Sequence, residues 1–122
     1  MRAVPQLMFQ GGVLPDALAF WRRAFPDMVT EVLAGGDRPT YVRAVIARQE
    51  LMLFDSPPVH AFTFTPAISL LIEAETAEVD RLVAVLGEGG QVLMPLDAYD
   101  FSPHYCWLND RFGVSWQLMV KP

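Results

Sequence analysis

The chain has 122 residues, 52% of them hydrophobic, and a formal net charge of −5. That length and apolar content suit a single domain, residues 1–122, able to bury a core without disulfides or a structural metal. An acidic chain with no Lys/Arg run excludes nucleic acid as an expected partner, because neutralising phosphates needs a clustered basic face.

The one cysteine, Cys106, excludes an intramolecular disulfide and a multi-cysteine zinc site, and reads as a buried thiol in a reducing, cytoplasmic setting. No apolar run approaches the ~20 residues that cross a bilayer. Pro5, Gln6 and Gln10 interrupt the apolar start, so a signal peptide is not expected either.

Val4 to Phe9 reads as a buried strand closed by Gly11-Gly12. Pro15 and Asp16 suit the first turn of a helix whose apolar residues, Leu14, Ala17, Leu18, Trp21 and Phe25, recur at helical spacing until Pro26. Three strands follow at Met28 to Leu33, Tyr41 to Ala47 and Leu51 to Phe54. The stretch from Asp55 to Pro66 holds Pro57 and Pro58, which cannot continue a sheet ladder, and reads as a linker.

The same order then returns. Ala67 to Ile72 is a strand, and Thr76 is placed to cap a helix carrying Val79, Leu82, Val83 and Leu86 before Gly87. Val92 to Leu96, Tyr105 to Leu108 and Val114 to Val120 complete three more strands, the last two joined by the turn from Asn109 to Gly113. The pattern predicts an α+β protein of two tandem β-α-β-β-β modules, residues 3–56 and 66–120, with the linker at 56–65. Two such sheets, each covered by a helix on one face, can curve into one mixed sheet around a central cleft.

Two segments carry a family resemblance. Leu7-Met8-Phe9-Gln10-Gly11-Gly12 followed by Ala17-Leu18-Ala19-Phe20-Trp21 resembles the opening of PhnB-like proteins. Trp107-Leu108-Asn109-Asp110-Arg111-Phe112-Gly113-Val114-Ser115-Trp116-Gln117-Leu118 resembles their ending almost residue for residue. The resemblance spans nearly the whole chain and implies the vicinal-oxygen-chelate fold of the glyoxalase, bleomycin-resistance and dioxygenase superfamily. Relatives often carry the label 3-demethylubiquinone-9 3-methyltransferase. Yet the sequence lacks the glycine-rich strand-to-helix turn and following acid of a methyl-donor nucleotide fold, and Gly11-Gly12 and Gly89-Gly90 read as turns.

Metal-dependent members of that superfamily hold an ion on inward-facing His and Glu side chains of each module. Residue matching places those positions at Gln6, Leu53, Ala67 and Gln117. None is an ionisable ligand, so no metal and no cofactor are expected. His60 and His104 match no ligand position, and a His60/His104/Cys106 cluster is the metal alternative.

Strand alternation then fixes the expected cleft lining. Gln6 brings Met8, Leu53 brings Leu51 and Asp55, Ala67 brings Ser69, and Gln117 brings Ser115, with Tyr105 and Trp107 inward by superfamily analogy. Phe9, Met52, Phe54, Ile68, Trp116 and Leu118 are expected against the helices. The leading expectation is a cytoplasmic homodimer that binds a small, apolar or planar molecule on Gln6, Met8, Leu53, Ser69, Tyr105, Trp107 and Gln117 without a metal. The alternatives are a metal-dependent lyase or isomerase of glyoxalase type and an assembly subunit without small-molecule chemistry.

Overall fold

The computed structural model describes residues 1–122. They form two compact units, Met1–Thr63 and Phe64–Pro122. The units share one order of elements, so the fold is α+β with two like modules, eight strands and two helices.

The first unit contains β1 (Gln6–Gln10), α1 (Leu14–Ala24), β2 (Val29–Ala34), β3 (Tyr41–Ile46) and β4 (Gln49–Ser56). Its sheet runs β1-β4-β3-β2, with β1 parallel to β4 and the other pairs antiparallel. The β3-β4 hairpin turns on Ala47 and Arg48, both left-handed at φ 49 and 70, as a tight hairpin turn demands. Leu14, Ala17, Trp21 and Ala24 of α1 are fully buried, and the Phe9 ring meets Trp21 edge-on at 5.7 Å. Pro26 follows the last helical turn and stops it.

Register fixes which side of this sheet meets α1. Phe9 lies on the helix side, and Leu7 shares its parity and pairs with Leu53. Leu51, Leu53, Val42 and Ala44 are therefore core against the helix, at no more than 1% exposure. The expected inward position of Leu53 is corrected, and so are Leu51 and Asp55. Met52 and Phe54, expected in the core, share the other face with Gln6 and Met8. The cause is a one-residue offset in matching β4, and a slip of one residue moves every side chain of a strand to the opposite face.

The second unit contains β5 (Leu70–Glu73), α2 (Thr76–Leu86), β6 (Gln91–Tyr99), β7 (Ser102–Asn109) and β8 (Ser115–Met119), in the sheet order β5-β8-β7-β6. Trp116, Leu118, Cys106 and Leu108 form the buried side with Val79, Leu82 and Leu86 of α2. Three expectations change. Ala67 and Ile68 precede β5 in a turn after Pro66, and Ile68 is 75% exposed rather than packed. Thr76 is already helical, and Glu75 occupies the cap position with no side-chain hydrogen bond. β6 runs on through Pro95 to Tyr99, which is tolerated because β6 is an edge strand with an irregular register.

The distinctive closing segment owes its sequence to one buried carboxylate. Asp110, 3% exposed, accepts hydrogen bonds at Oδ1 from the Phe112 and Val114 amides at 2.9 and 3.1 Å. Its Oδ2 accepts from the Trp116 indole at 3.0 Å. Gly113 closes the turn at φ 89, a conformation that favours glycine. No helix is long and apolar enough to cross a membrane.

Candidate functional site

The face of the second sheet opposite α2 carries a continuous hydrogen-bonded chain of side chains. The Tyr105 hydroxyl donates to Gln117 Oε1 at 2.7 Å, and Gln117 Nε2 donates to Ser69 Oγ at 3.1 Å. Ser69 and Ser115 share a proton across 2.6 Å, and the Trp107 indole donates to Ser115 Oγ at 2.9 Å. The register explains the assembly: Trp107 pairs with Gln117 across β7 and β8, and Leu71 pairs with Gln117 across β5 and β8. Four of the sequence-derived site residues, Ser69, Tyr105, Trp107 and Gln117, thus meet on one face.

Tyr105 is also the centre of an aromatic group. Phe101 and Tyr99 meet its ring edge-on at 4.7 and 5.5 Å, and they stack on each other at 5.6 Å. Burial pushes the Tyr105 phenol above its ordinary range, with Cys106 and Tyr99 adding to the rise. It therefore stays a protonated donor at neutral pH. The Tyr99–Phe101 pair sits at the tight β6-β7 turn.

In the first unit the face opposite α1 holds Gln6, Met8, Met52 and Phe54. Tyr41 and Arg43 of β3 join them, since they pair with Phe54 and Met52. The Tyr41 hydroxyl donates to Gln6 Oε1 at 2.9 Å, and its ring meets Phe54 edge-on at 6.1 Å. Arg43 bridges Glu31 and Glu50, and Glu50 is also held by Arg2 at 2.6 Å. Hydrogen bonding to Arg2, with Arg43 adding, holds the Glu50 carboxyl below its usual range. The sequence reading missed Tyr41, Arg43, Met52 and Phe54. The alternation of Tyr41 and Arg43 with apolar Val42 and Ala44 was a signal for the first two, whereas Met52 and Phe54 carried none, since Leu51 and Leu53 are equally apolar.

The matched positions do not fit the ion that the superfamily resemblance implies. Both Gln6 and Gln117 already spend their amide oxygens on tyrosine hydroxyls. Leu53 turns to the helix, and Ala67 lies before β5. No group of three or more His, Cys, Asp or Glu side chains is placed to share an ion. His60 is tied through its backbone N–H to Gln10 at 3.0 Å, and its ring packs on Phe62. His104 bonds Asp80 of α2 at 2.6 Å, and Cys106 is buried on the same side of β7.

A concavity of about 370 Å³ lies in the first unit beside Gly11, Gly12, Arg38, Asp55 and Pro58. Asp55 is committed there: it accepts from the Gly12 and Leu14 amides at 3.0 and 2.8 Å, capping α1. A carboxylate thus stands where a phosphate would rest on the helix start.

The sequence profile of the family described as 3-demethylubiquinone-9 3-methyltransferase matches residues 1–119. No curated protein matches the chain. Among solved structures, the PhnB protein from Bacillus cereus is 36% identical, with a TM-score of 0.87 over 98% of this chain and 99% of that one. A protein from Pseudomonas aeruginosa is 26% identical, with a TM-score of 0.78 over 99% of this chain and 98% of the other. The fosfomycin resistance protein FosX from Listeria monocytogenes, 12% identical, shares the fold at a TM-score of 0.70 over 100% and 91% of the two chains. The chain belongs to the PhnB-like family described as 3-demethylubiquinone-9 3-methyltransferase, on the glyoxalase and bleomycin-resistance fold.

Proposed function

We propose that this chain binds a small planar molecule through aromatic surface and neutral hydrogen bonds, without a family-type metal. The observation that carries the reading is the chain from Tyr105 through Gln117, Ser69 and Ser115 to Trp107, a set of neutral polar groups held beside an exposed-edge aromatic cluster. Aromatic surface with a few directed polar groups suits a flat ligand better than a charged one. The quinone ring in the family's description is of that kind. A methyl-donor nucleotide is not part of the proposal, because the glycine turn before α1 is closed by Asp55.

The test uses a tailless ubiquinone-ring probe titrated by NMR, alongside metal analysis of protein purified without chelator or affinity tag. Trp107→Ala is expected to cost roughly 2 to 4 kcal/mol of probe affinity, as an aromatic anchor does. Gln117→Ala is expected to cost about 1 kcal/mol, a neutral hydrogen bond's worth. Unchanged affinity in Trp107→Ala, or stoichiometric metal in the wild type, would overturn the reading. The chain is further proposed to act as a cytoplasmic homodimer, a pairing supported by edge strand β2, where Val29, Val32 and Leu33 are 63, 47 and 41% exposed.

A further inference from the structure

The hydrogen-bonded chain in the second unit does not close on itself, and counting its protons shows where it is open. Ser69 Oγ accepts from Gln117 Nε2, and Ser115 Oγ accepts from the Trp107 indole. The two hydroxyls share one bond at 2.6 Å, so only one of their two protons is used. If Ser115 donates to Ser69, the Ser69 proton is left over; if Ser69 donates to Ser115, the Ser115 proton is. In either arrangement one serine oxygen has both lone pairs filled and its proton pointing out of the chain. Filling both lone pairs polarises that hydroxyl and strengthens it as a donor. Gln117 Nε2 also keeps a second proton, beside the same Ser69 oxygen at 3.1 Å. Ser115 is only 2% exposed and Ser69, just before β5, is half-buried, so a partner must reach toward the sheet to take these protons.

A second observation marks the same face as incomplete. Asn109, which pairs with Ser115 across β7 and β8, has its Oδ1 buried and receives no hydrogen bond from the protein. Buried polar atoms are normally paired, and an unpaired acceptor calls for a donor from outside the chain, a water or an N–H or O–H of the bound molecule, so it marks the face as open without itself selecting a carbonyl.

We propose that the Ser69/Ser115 pair, together with the free Gln117 N–H, is the subsite for a carbonyl oxygen of the bound molecule. This rests on the binding reading above and narrows it to a class: planar carbonyl compounds, recognised by two neutral donors aimed at one acceptor. Neutral donors satisfy a carbonyl oxygen without demanding a charge on the bound molecule.

The test is titration of the full chain with indanone and with indane, molecules of one shape that differ in the carbonyl. NMR signals of the Trp107 indole N–H and the Gln117 side-chain amide report the site. Wild-type protein should bind indanone at least about fivefold more tightly than indane, with both reporters moving, as one neutral hydrogen bond implies. Because the serines share one spare proton, Ser69→Ala and Ser115→Ala should each keep that preference. The Ser69→Ala, Ser115→Ala double variant should lose about fivefold of it. A purely structural serine pair would give no such pattern. Equal binding of indanone and indane would overturn the carbonyl subsite and leave the binding reading standing. Failure of both probes to move the Trp107 indole would overturn both. If the double variant does not fold, the wild-type pair of titrations decides alone.

Discussion

Replacing Asp110 by asparagine changes one atom and should unsettle the whole end of the second sheet. In the wild type its two oxygens accept from the Phe112 and Val114 amides and from the Trp116 indole. An asparagine can keep its oxygen on the two amides, but its NH2 then faces the indole N–H, donor against donor. The reverse orientation saves the indole bond and forfeits the other two. Trp116 is 0% exposed, so water cannot take the abandoned proton. Losing a bond to a charged acceptor costs about 1.5 to 3 kcal/mol, and an unpaired buried donor adds about 1 to 3 more. We expect destabilisation of about 3 kcal/mol. With a urea slope of about 1.5 kcal/mol/M, the unfolding midpoint should fall by about 2 M. Urea titration followed by tryptophan fluorescence measures this directly, with exposed Asp27→Asn as the control. A shift below about half a molar would refute the assignment of Asp110 as the anchor of the turn. Below its transition the variant should still bind indanone, since Asp110 holds the strand end and does not belong to the donor chain.

Two further outcomes follow from the same structure. Burial raises both the Tyr105 phenol and the Cys106 thiol, so in alkali the unfolded chain releases these protons first. Stability from both groups is therefore complete below the thiol's ordinary value of 9.0 and is lost as pH rises toward the folded values. Urea midpoints measured from neutral to alkaline pH should decline, and Cys106→Ala should remove the thiol's share; a flat profile would contradict the burial argument. For the proposed pairing, light scattering after size exclusion should give about twice 13.7 kDa, and a concentration-independent monomer would count against it.

The order of elements was legible in the sequence because its signals are local. Helical spacing from Leu14 to Phe25, the stop at Pro26, the paired prolines at 57 and 58 and the repeat of the order after Pro66 each depend on neighbours in the chain. The facing of β8 came from matching Gln117 to a family position and that of β7 from superfamily analogy, and the register sets Trp107 directly beside Gln117. β4 was misread because leucine, methionine and phenylalanine are all apolar, and composition alone does not say which alternate set meets the helix.

Other features depend on residues far apart in sequence and could be decided only by folding. Val13 at the start of α1 offers no side-chain cap, and the cap comes from Asp55, brought there by the parallel pairing of β1 with β4. Tyr41 reaches Gln6 only through β4, which lies between their strands. The spare serine proton is of the same kind. Ser69 and Ser115 lie 46 positions apart in the chain, and each would be an ordinary polar residue by itself. The sequence alone determined the kind and order of the elements, since that rests on local periodicity. The tertiary structure alone decided which polar groups are satisfied and which donor is left to offer, because hydrogen bonds between side chains depend on register and distance across the sheet.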